Sequence, residues 1–257
     1  MSLLASIARR LAGPGPDELP IYSEQGLSLL PDVGQYGSAV PFPHMQVDGV
    51  FNPEYLRAIL KEWPQEGQTK LEAHNDGTFV RKKHNTTWET QFGPHTRRFF
   101  AEMASPRMLL ALERMTGISG LMPDPYLFGG GLHFTQAGGT LAVHADFNRL
   151  PKLNIDRRLN LLIYLNEGWT EANQGWLELW DRKMEKCEAR VLPVFNRMAV
   201  FSTTSFSFHG QPEPIVGPPD LFRRSIALYY YTNGRPAEEI SEEEHSTLWQ
   251  ERPQQGY

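Results

Sequence analysis

Residues 131–146 read Gly-Leu-His-Phe-Thr-Gln-Ala-Gly-Gly-Thr-Leu-Ala-Val-His-Ala-Asp. Two mostly apolar stretches flank the Gly138-Gly139 pair, and this pattern predicts a strand, a turn and a second strand. Side chains at positions i and i+2 of a strand point to the same face, so His144 and Asp146 can both reach one ion while Ala145 faces away. The stretch therefore predicts a β-sheet that holds an imidazole beside a carboxylate.

A second imidazole is available at His209, within the Ser207-Phe-His-Gly210 segment. Two imidazoles and one carboxylate on one face of a metal leave the opposite face open, which is the arrangement that proteins use for non-haem Fe(II) and O₂ chemistry. We predict that His144, Asp146 and His209 bind one Fe(II) ion. The segment 74–76 has the same His-x-Asp spacing, but it runs into Gly77 and is more typical of a polar turn.

Two segments carry strong helix signals. Each begins with a capping residue followed by proline, Asn52-Pro53 and Ser105-Pro106, and continues with apolar residues at helical spacing. From about Leu127 onward, short apolar runs alternate with Gly, Pro and Asn turns, which is typical of strands. We therefore predict a mainly β protein with flanking helices (α+β), in which the helices pack outside a jelly roll.

The order of these parts resembles the 2-oxoglutarate-dependent Fe(II) dioxygenases, and within them the prolyl 4-hydroxylase-like branch. The resemblance covers roughly residues 40–232. It is carried by His144-x-Asp146, the strand 158–166, the segment 174–181, the N-terminal segment 41–51, and His209 followed fourteen residues later by Arg223-x-Ser225. It implies a cupin-like double-stranded β-helix whose mouth holds a small ligand.

The resemblance also implies Fe(II), 2-oxoglutarate and O₂ as the cofactor set. The implied reaction hydroxylates an unactivated C–H bond and releases succinate and CO₂. Asp146 stands where halogenating relatives have a small residue, so hydroxylation is the expected outcome, although desaturation or ring formation could use the same oxidant. A metal-binding jelly roll that senses or scaffolds without turnover is the alternative; the presence of Arg223 and Tyr164 favours an enzyme.

Strand parity indicates which arginine binds the co-substrate. Arg223, Ser225 and Ala227 share one face of their strand, and small neighbours leave room for a dicarboxylate beside a guanidinium, whose planar fork matches a carboxylate. We predict that Arg223 binds the distal carboxylate of 2-oxoglutarate, with Ser225 adding a hydroxyl. The adjacent Arg224 would be a surface charge. By the same parity, and by its likeness to the family's co-substrate strand, Tyr164 is predicted to face the cavity.

The substrate side is less constrained by the sequence. Phe134, Leu141 and Gln174 depart from the family pattern around the pocket. The polar stretch 74–93, which contains Trp88, is predicted to cover the mouth. Asn148 and Arg149 follow the predicted ligand pair, and with Trp88 they are candidate substrate contacts, although each could equally lie in a solvated loop. The expected substrate is an amino acid, a peptide or another small biosynthetic molecule.

Composition agrees with a soluble enzyme: 257 residues, 40% hydrophobic, 21% charged, one cysteine and a net charge of −5. The acidic balance disfavours nucleic acid, and a single Cys187 excludes an internal disulfide and fits a reducing compartment. No segment has the length of a membrane span. We expect a cytoplasmic protein with one domain over 41–257 after an extended lead-in, 1–40; within it lie helical support (41–126), a jelly-roll core (127–235) and a tail (236–257). The sequence leaves the oligomeric state undetermined.

Overall fold

The computed structural model describes residues 17–64, 72–87, 91–239 and 245–252. In this part of the chain the α-helices are α1 (Val33–Gly37), α2 (Pro53–Lys61), α3 (Pro94–Met103) and α4 (Pro106–Thr116). The strands are β1 (His44–Asp48), β2 (Glu72–His74), β3 (Val80–Thr86), β4 (Met122–Pro123), β5 (Gly131–Ala145), β6 (Arg149–Leu150), β7 (Ile155–Tyr164), β8 (Leu177–Trp180), β9 (Cys187–Val191), β10 (Arg197–Ser202), β11 (His209–Gln211), β12 (Phe222–Thr232) and β13 (Leu248–Trp249).

The two predicted helices, α2 and α4, begin where their capping residues predicted. Asn52 accepts a hydrogen bond from the Glu54 backbone at 2.9 Å, and Ser105 accepts one from the Met108 backbone at 3.3 Å. These bonds satisfy amide groups that the first turn of a helix leaves without a partner. Gly117 ends α4 in the left-handed region, with φ of 74°. The sequence analysis did not identify α1 or α3.

The strands form a single antiparallel sheet that curls into a double-stranded β-helix, with the order β1-β10-β7-β12-β5-β11-β8-β9. Strand β5 is central, because β3, β11, β12 and β13 all pair with parts of it. On β7, Leu159, Leu161 and Ile163 pack into the main core together with residues of the helices, while Asn160 and Leu162 line a cavity on the opposite face. The side chains of this part of the strand therefore alternate between the core and the cavity.

Strand β5 differs from the sequence prediction at its glycine pair. The chain runs without a turn from Gly131 to Ala145, and Gly138, with φ of 79°, marks a bend. Residues before the bend pair with β12, and residues after it pair with β11. The predicted turn is wrong. The two halves of this long strand are hydrogen-bonded to different neighbouring strands and not to each other, so the chain only bends at the glycine pair.

Segment 41–126 contributes strands as well as helices. Strand β1 pairs with β10, and β3 pairs with β5. The predicted cover over 74–93 is accordingly wrong for residues 80–86, because their backbone is bonded into the sheet. The turn before β3 is held by Asp76, whose Oδ1 accepts backbone hydrogen bonds from Thr78, Phe79 and Val80 at 2.7–2.9 Å. Among the helices of the described ranges, none combines the length and apolar character needed to cross a membrane.

The bend in β5 gives a stability test at Gly139. A methyl group there would lie 2.4 Å from Thr135 Cγ2 and 2.8 Å from the Arg81 carbonyl oxygen. Because both contacts are shorter than van der Waals distance, Gly139→Ala should lower the free energy of unfolding by about 1–3 kcal/mol. Gly37→Ala is the control, since a methyl group at Gly37 meets no atom within 4 Å. Urea denaturation of both variants decides; equal stability of the two would contradict the close packing at the bend.

Candidate metal centre and its cavity

The structure brings the three predicted metal ligands together at one end of the barrel. His144 lies near the end of β5, Asp146 follows that strand, and His209 opens β11 directly opposite His144. Nε2 of His144 lies 3.5 Å from Asp146 Oδ1, and Nε2 of His209 lies 3.4 Å from Asp146 Oδ2. One donor atom from each residue falls within 4.8 Å of the others. The three side chains can therefore converge on a single ion.

Both imidazoles are oriented by the backbone. Nδ1 of His144 lies 2.9 Å from the Ala142 carbonyl oxygen, and Nδ1 of His209 lies 2.9 Å from the Ser207 carbonyl oxygen. A proton on Nδ1 satisfies each carbonyl and leaves the lone pair of Nε2 directed at the centre. Burial, together with the neighbouring His209, lowers the pKa of His144, which favours its neutral form. Two imidazole nitrogens and one carboxylate are a donor set that fits Fe(II).

Asp146 is held as a carboxylate. Burial alone would raise its pKa, but the Arg157 guanidinium and the two imidazoles outweigh burial and hold the pKa well below its usual range. Arg157 Nη2 lies 2.9 Å from Asp146 Oδ2, and Asn160 Nδ2 donates to the same oxygen at 2.6 Å. These contacts fix the orientation of the carboxylate toward the imidazoles.

Arg157 is a site residue that the sequence analysis missed. Its side chain is buried, donates to Asn160 Oδ1 at 2.7 and 3.0 Å, and stacks over the Tyr229 ring with Cζ 3.5 Å from the centroid. Tyr230 pairs with Leu159 whereas Tyr231 pairs with Arg157, so Arg158 is an extra residue in the ladder. A bulge of this kind reverses the face of the residues before it. Simple alternation along β7 would have placed Arg157 with the core leucines.

The predicted co-substrate residues lie at the other end of the same cavity. Arg223 Nε donates to the Gly175 carbonyl oxygen at 2.7 Å, and Nη2 donates to the Tyr164 hydroxyl at 3.3 Å. Ser225 lines the cavity beside Arg223, whereas Arg224 does not. Tyr164 is fully buried and, against the prediction, does not itself line the cavity. Its hydroxyl contacts the Arg223 guanidinium instead.

The cavity consists of two connected chambers. The inner chamber, about 90 Å³, is bounded by Arg223, Ser225 and the metal-centre side chains. The outer chamber, about 400 Å³, opens toward the surface. Residues that line both are Lys83, His133, Leu141, His144, Asp146 and Tyr229. The metal centre therefore lies at the junction of the two chambers.

The predicted substrate contacts Asn148 and Arg149 do not line either chamber. Arg149 Nη2 donates to Asn154 Oδ1 within the β6–β7 hairpin, and Asn148 Oδ1 accepts from the His245 backbone at 3.1 Å. Their neighbour Phe147 does line the outer chamber. Trp88, the third candidate, lies outside the described residues. The Arg149 side chain is bonded within its own hairpin, and the Asn148 side chain is bonded to a distant segment, so neither contributes to the walls of the cavity.

Two further residues line the cavity without having been identified from the sequence. His133 faces it with Nε2 3.0 Å from the Gly130 carbonyl oxygen, whereas its neighbour Phe134 packs into the core. Lys83 also faces it, whereas its neighbours Arg81 and Lys82 are exposed. Lys82, with φ of 51°, interrupts the pairing of β3 with β5 and turns the following residue inward. Burial lowers the pKa of Lys83 to about 8.

The outer chamber is completed by a distant part of the chain. Trp249 on β13 lies opposite His144 on β5, and the centroids of their rings are 5.0 Å apart. The same indole stacks on Phe79, at 4.9 Å and an interplanar angle of 14°. No residue pattern in the sequence predicts this contact, because a two-residue strand carries no periodicity.

Residues 130–231 match the 2OG-Fe(II) oxygenase superfamily. A Pseudomonas putida prolyl-4-hydroxylase has a similar structure, with a TM-score of 0.56 and 17% identity over 81% of this chain and 99% of that one. A Trichoplax adhaerens prolyl hydroxylase, solved with a hypoxia inducible factor peptide fragment, gives a TM-score of 0.56 and 15% identity over 80% and 88%. HygX from Streptomyces hygroscopicus, solved with nickel and 2-oxoglutarate, gives 0.50 and 11% over 79% and 92%. No curated protein sequence matches this chain.

The metal centre gives a direct binding test. His209→Ala should abolish stoichiometric binding of Mn(II) or Fe(II), because two donors remain where three converged. His133→Ala is the matched control: it removes an imidazole from the same cavity but not from the metal-ligand group, so metal binding should persist. Calorimetric titration measures both. Full metal occupancy in His209→Ala would contradict the ligand assignment.

Arg157 is expected to position Asp146 for the metal. Arg157→Met should weaken metal binding roughly ten- to a hundredfold, the usual cost of removing a group that orients a ligand. The control is Arg158→Met, which removes a neighbouring buried guanidinium that bonds Thr232 and Glu239 and lies away from the centre. Metal affinity should change only in the Arg157 variant, whereas both can lose stability. Equal metal affinity in the two variants would make Arg157 purely structural.

Proposed function

We propose that this chain, whose residues 130–231 match the 2OG-Fe(II) oxygenase superfamily, is a 2-oxoglutarate-dependent dioxygenase that hydroxylates an unactivated C–H bond of an amino-acid, peptidyl or other small biosynthetic substrate. The observation that carries the proposal is the buried group of His144, Asp146 and His209 in one cavity with Arg223. A metal centre alone would serve many reactions. A guanidinium facing the same small chamber is what a dicarboxylate co-substrate requires.

In this proposal, His144, Asp146 and His209 hold Fe(II), and the inner chamber holds 2-oxoglutarate. Arg223 binds the distal carboxylate through its planar fork, with Ser225 offering a hydroxyl beside it. Tyr164 and the Gly175 carbonyl oxygen hold the guanidinium in place. Bound Fe(II) supplies the activation of O₂, coupled to decarboxylation of 2-oxoglutarate to succinate and CO₂.

The protein orients the reactants and excludes water. Leu162, Leu177 and Phe201 line the inner chamber with apolar surface. Such walls limit solvent access to a reactive centre and strengthen the charge interactions within it. The outer chamber, on the other side of the metal ligands, is the space available for the substrate. The substrate C–H bond would therefore face the metal from the side opposite Arg223.

The structural neighbours leave the substrate class and outcome open within this proposal. One was solved with a peptide fragment, and another, SnoK, is described as a carbocyclase from nogalamycin biosynthesis, with a TM-score of 0.50 and 14% identity. Hydroxylation is proposed over halogenation because Asp146 offers a carboxylate at the metal centre. The non-catalytic alternative has no specific observation in its favour.

The deciding experiment is a substrate panel of free amino acids, prolyl peptides and small biosynthetic acids. Succinate release is measured with Fe(II), 2-oxoglutarate and O₂, and each product is analysed by mass. The proposal expects substrate-stimulated succinate release and a product that gains one oxygen atom. A product that has lost two hydrogens would replace hydroxylation by desaturation or ring formation. Succinate release that does not require Fe(II) would overturn the proposal.

The two adjacent arginines test the co-substrate site. Arg223→Ala should raise the 2-oxoglutarate concentration required for half-maximal turnover by roughly two orders of magnitude, because a buried carboxylate loses its charged partner. Arg224→Ala should change it little, since Arg224 lies outside the cavity with its guanidinium 5.4 Å from the Phe222 ring centroid. Co-substrate titration of both variants is the measurement. Damage confined to the Arg224 variant would mean that the predicted role of Arg223 is wrong.

A further inference from the structure

Lys83 occupies a distinctive position between the two chambers. It lies opposite Thr135 of β5, and Thr135 lies opposite Arg223 of β12. Side chains at opposed positions on neighbouring strands share a face, so the three point into the cavity in one row. Arg223 lines only the inner chamber, whereas Lys83 lines both. Its ammonium can therefore reach a molecule on the substrate side.

The charged groups around Lys83 are already engaged. Asp146 is the carboxylate that acts on Lys83 electrostatically, but its oxygens are held by Arg157, Asn160 and the two imidazoles. Within the described part of the chain, no hydrogen bond or ion pair holds the Lys83 ammonium. A desolvated cation in this state is stabilised when an anion binds next to it.

The charges of the site with 2-oxoglutarate bound also favour an anion next to Lys83. Among the described residues that line the chambers, Lys83, Arg157 and Arg223 are cationic and only Asp146 is anionic. Arg157 is paired with Asp146. In the proposed complex, Arg223 is paired with the distal carboxylate of 2-oxoglutarate, and the other carboxylate of that molecule lies on the metal side. Among these lining side chains, Lys83 is then the cation that has no anionic partner.

The walls of the outer chamber indicate the rest of the ligand. Aromatic side chains line it on several sides: Tyr126, Phe128, Phe147, Tyr229 and Trp249. Tyr126 and Phe128 are 49% and 56% exposed, so this lining continues to the mouth. Aromatic rings favour a flat apolar partner, with which they can stack or make edge contacts.

We propose that Lys83 is a specificity-determining residue that binds a carboxylate of the substrate, and that the substrate is a small carboxylic acid with a flat apolar body. This inference rests on the proposed function and narrows its substrate class. The carboxylate would bind at the junction of the chambers, beside the metal ligands, and the apolar body would extend between the aromatic walls. A substrate in which the acid is neutralised as an amide would leave the ammonium without a partner.

The test compares acids with their amides in the presence of Mn(II) and saturating 2-oxoglutarate, without O₂. The probes are 3-phenylpropionate, indole-3-acetate and cyclohexanecarboxylate, each beside its uncharged amide, and binding is measured by calorimetry. The wild-type protein should bind at least one of the two aromatic acids roughly ten- to a hundredfold more tightly than its amide, the range of a charge-assisted hydrogen bond. Lys83→Met should remove this preference, and Lys83→Arg should keep most of it.

Lys82→Met is the matched control. It removes the same charge one residue away, but Lys82 is exposed and donates to the Ala137 carbonyl oxygen at 3.0 Å, outside the chambers. The acid preference should survive in this variant. An acid preference that persists in Lys83→Met, or its absence from the wild type for both aromatic pairs, would overturn the proposal.

Measuring 2-oxoglutarate binding distinguishes failure of the Lys83 proposal from failure of the proposed function. The affinity for 2-oxoglutarate, titrated with Mn(II) present, should be unchanged in Lys83→Met. A weakened 2-oxoglutarate affinity with intact acid preference would assign Lys83 to the co-substrate and overturn the inference while the proposed function stands. Failure of the wild-type protein to bind 2-oxoglutarate at all would instead overturn the proposed function.

Discussion

The contact between Asp146 and Arg157 is the interaction on which the site depends. Both groups are buried, and a buried charge that loses its partner destabilises a protein far more than the intact pair stabilises it. The guanidinium also bonds Asn160 and stacks on Tyr229, so it connects β7, β12 and the residue after β5. The bulge at Arg158 is what turns Arg157 toward the cavity. The bulge in the sheet therefore places the guanidinium that keeps Asp146 ionised.

Much of the fold and the metal centre could be predicted from sequence because they obey simple periodicities. The spacing of His144 and Asp146 and the alternation along β7 follow from the period of a strand, and the caps at Asn52 and Ser105 are local signals. The two cavity residues with the wrong predicted orientation share one physical cause. An extra residue at Arg158 and a left-handed residue at Lys82 each interrupt the regular alternation of a strand, so they concealed the orientation of Arg157 and Lys83.

The glycine pair in β5 is a related case. Gly138 and Gly139 are as suitable for a bend as for a turn, and only the hydrogen bonds to β11 and β12 distinguish the two. The substrate side of the cavity could not be predicted for a different reason. Its walls come from separate segments that contain Phe79, Tyr126 and Trp249, and no local pattern indicates that such segments meet. Binding residues are often carried on loops and short segments of this kind, which a rigid scaffold positions.

The pairing of β13 with β5 has a consequence for how the protein is made. The strand that carries His144 receives one neighbour from β11 and another from residues 248–249, both far along the chain. During synthesis, β5 leaves the ribosome long before either neighbour exists, and contacts of such wide sequence separation form late. Metal uptake is thus expected only after translation has passed His209, because a nascent chain stalled before that point would present one imidazole and one carboxylate on an unfinished strand.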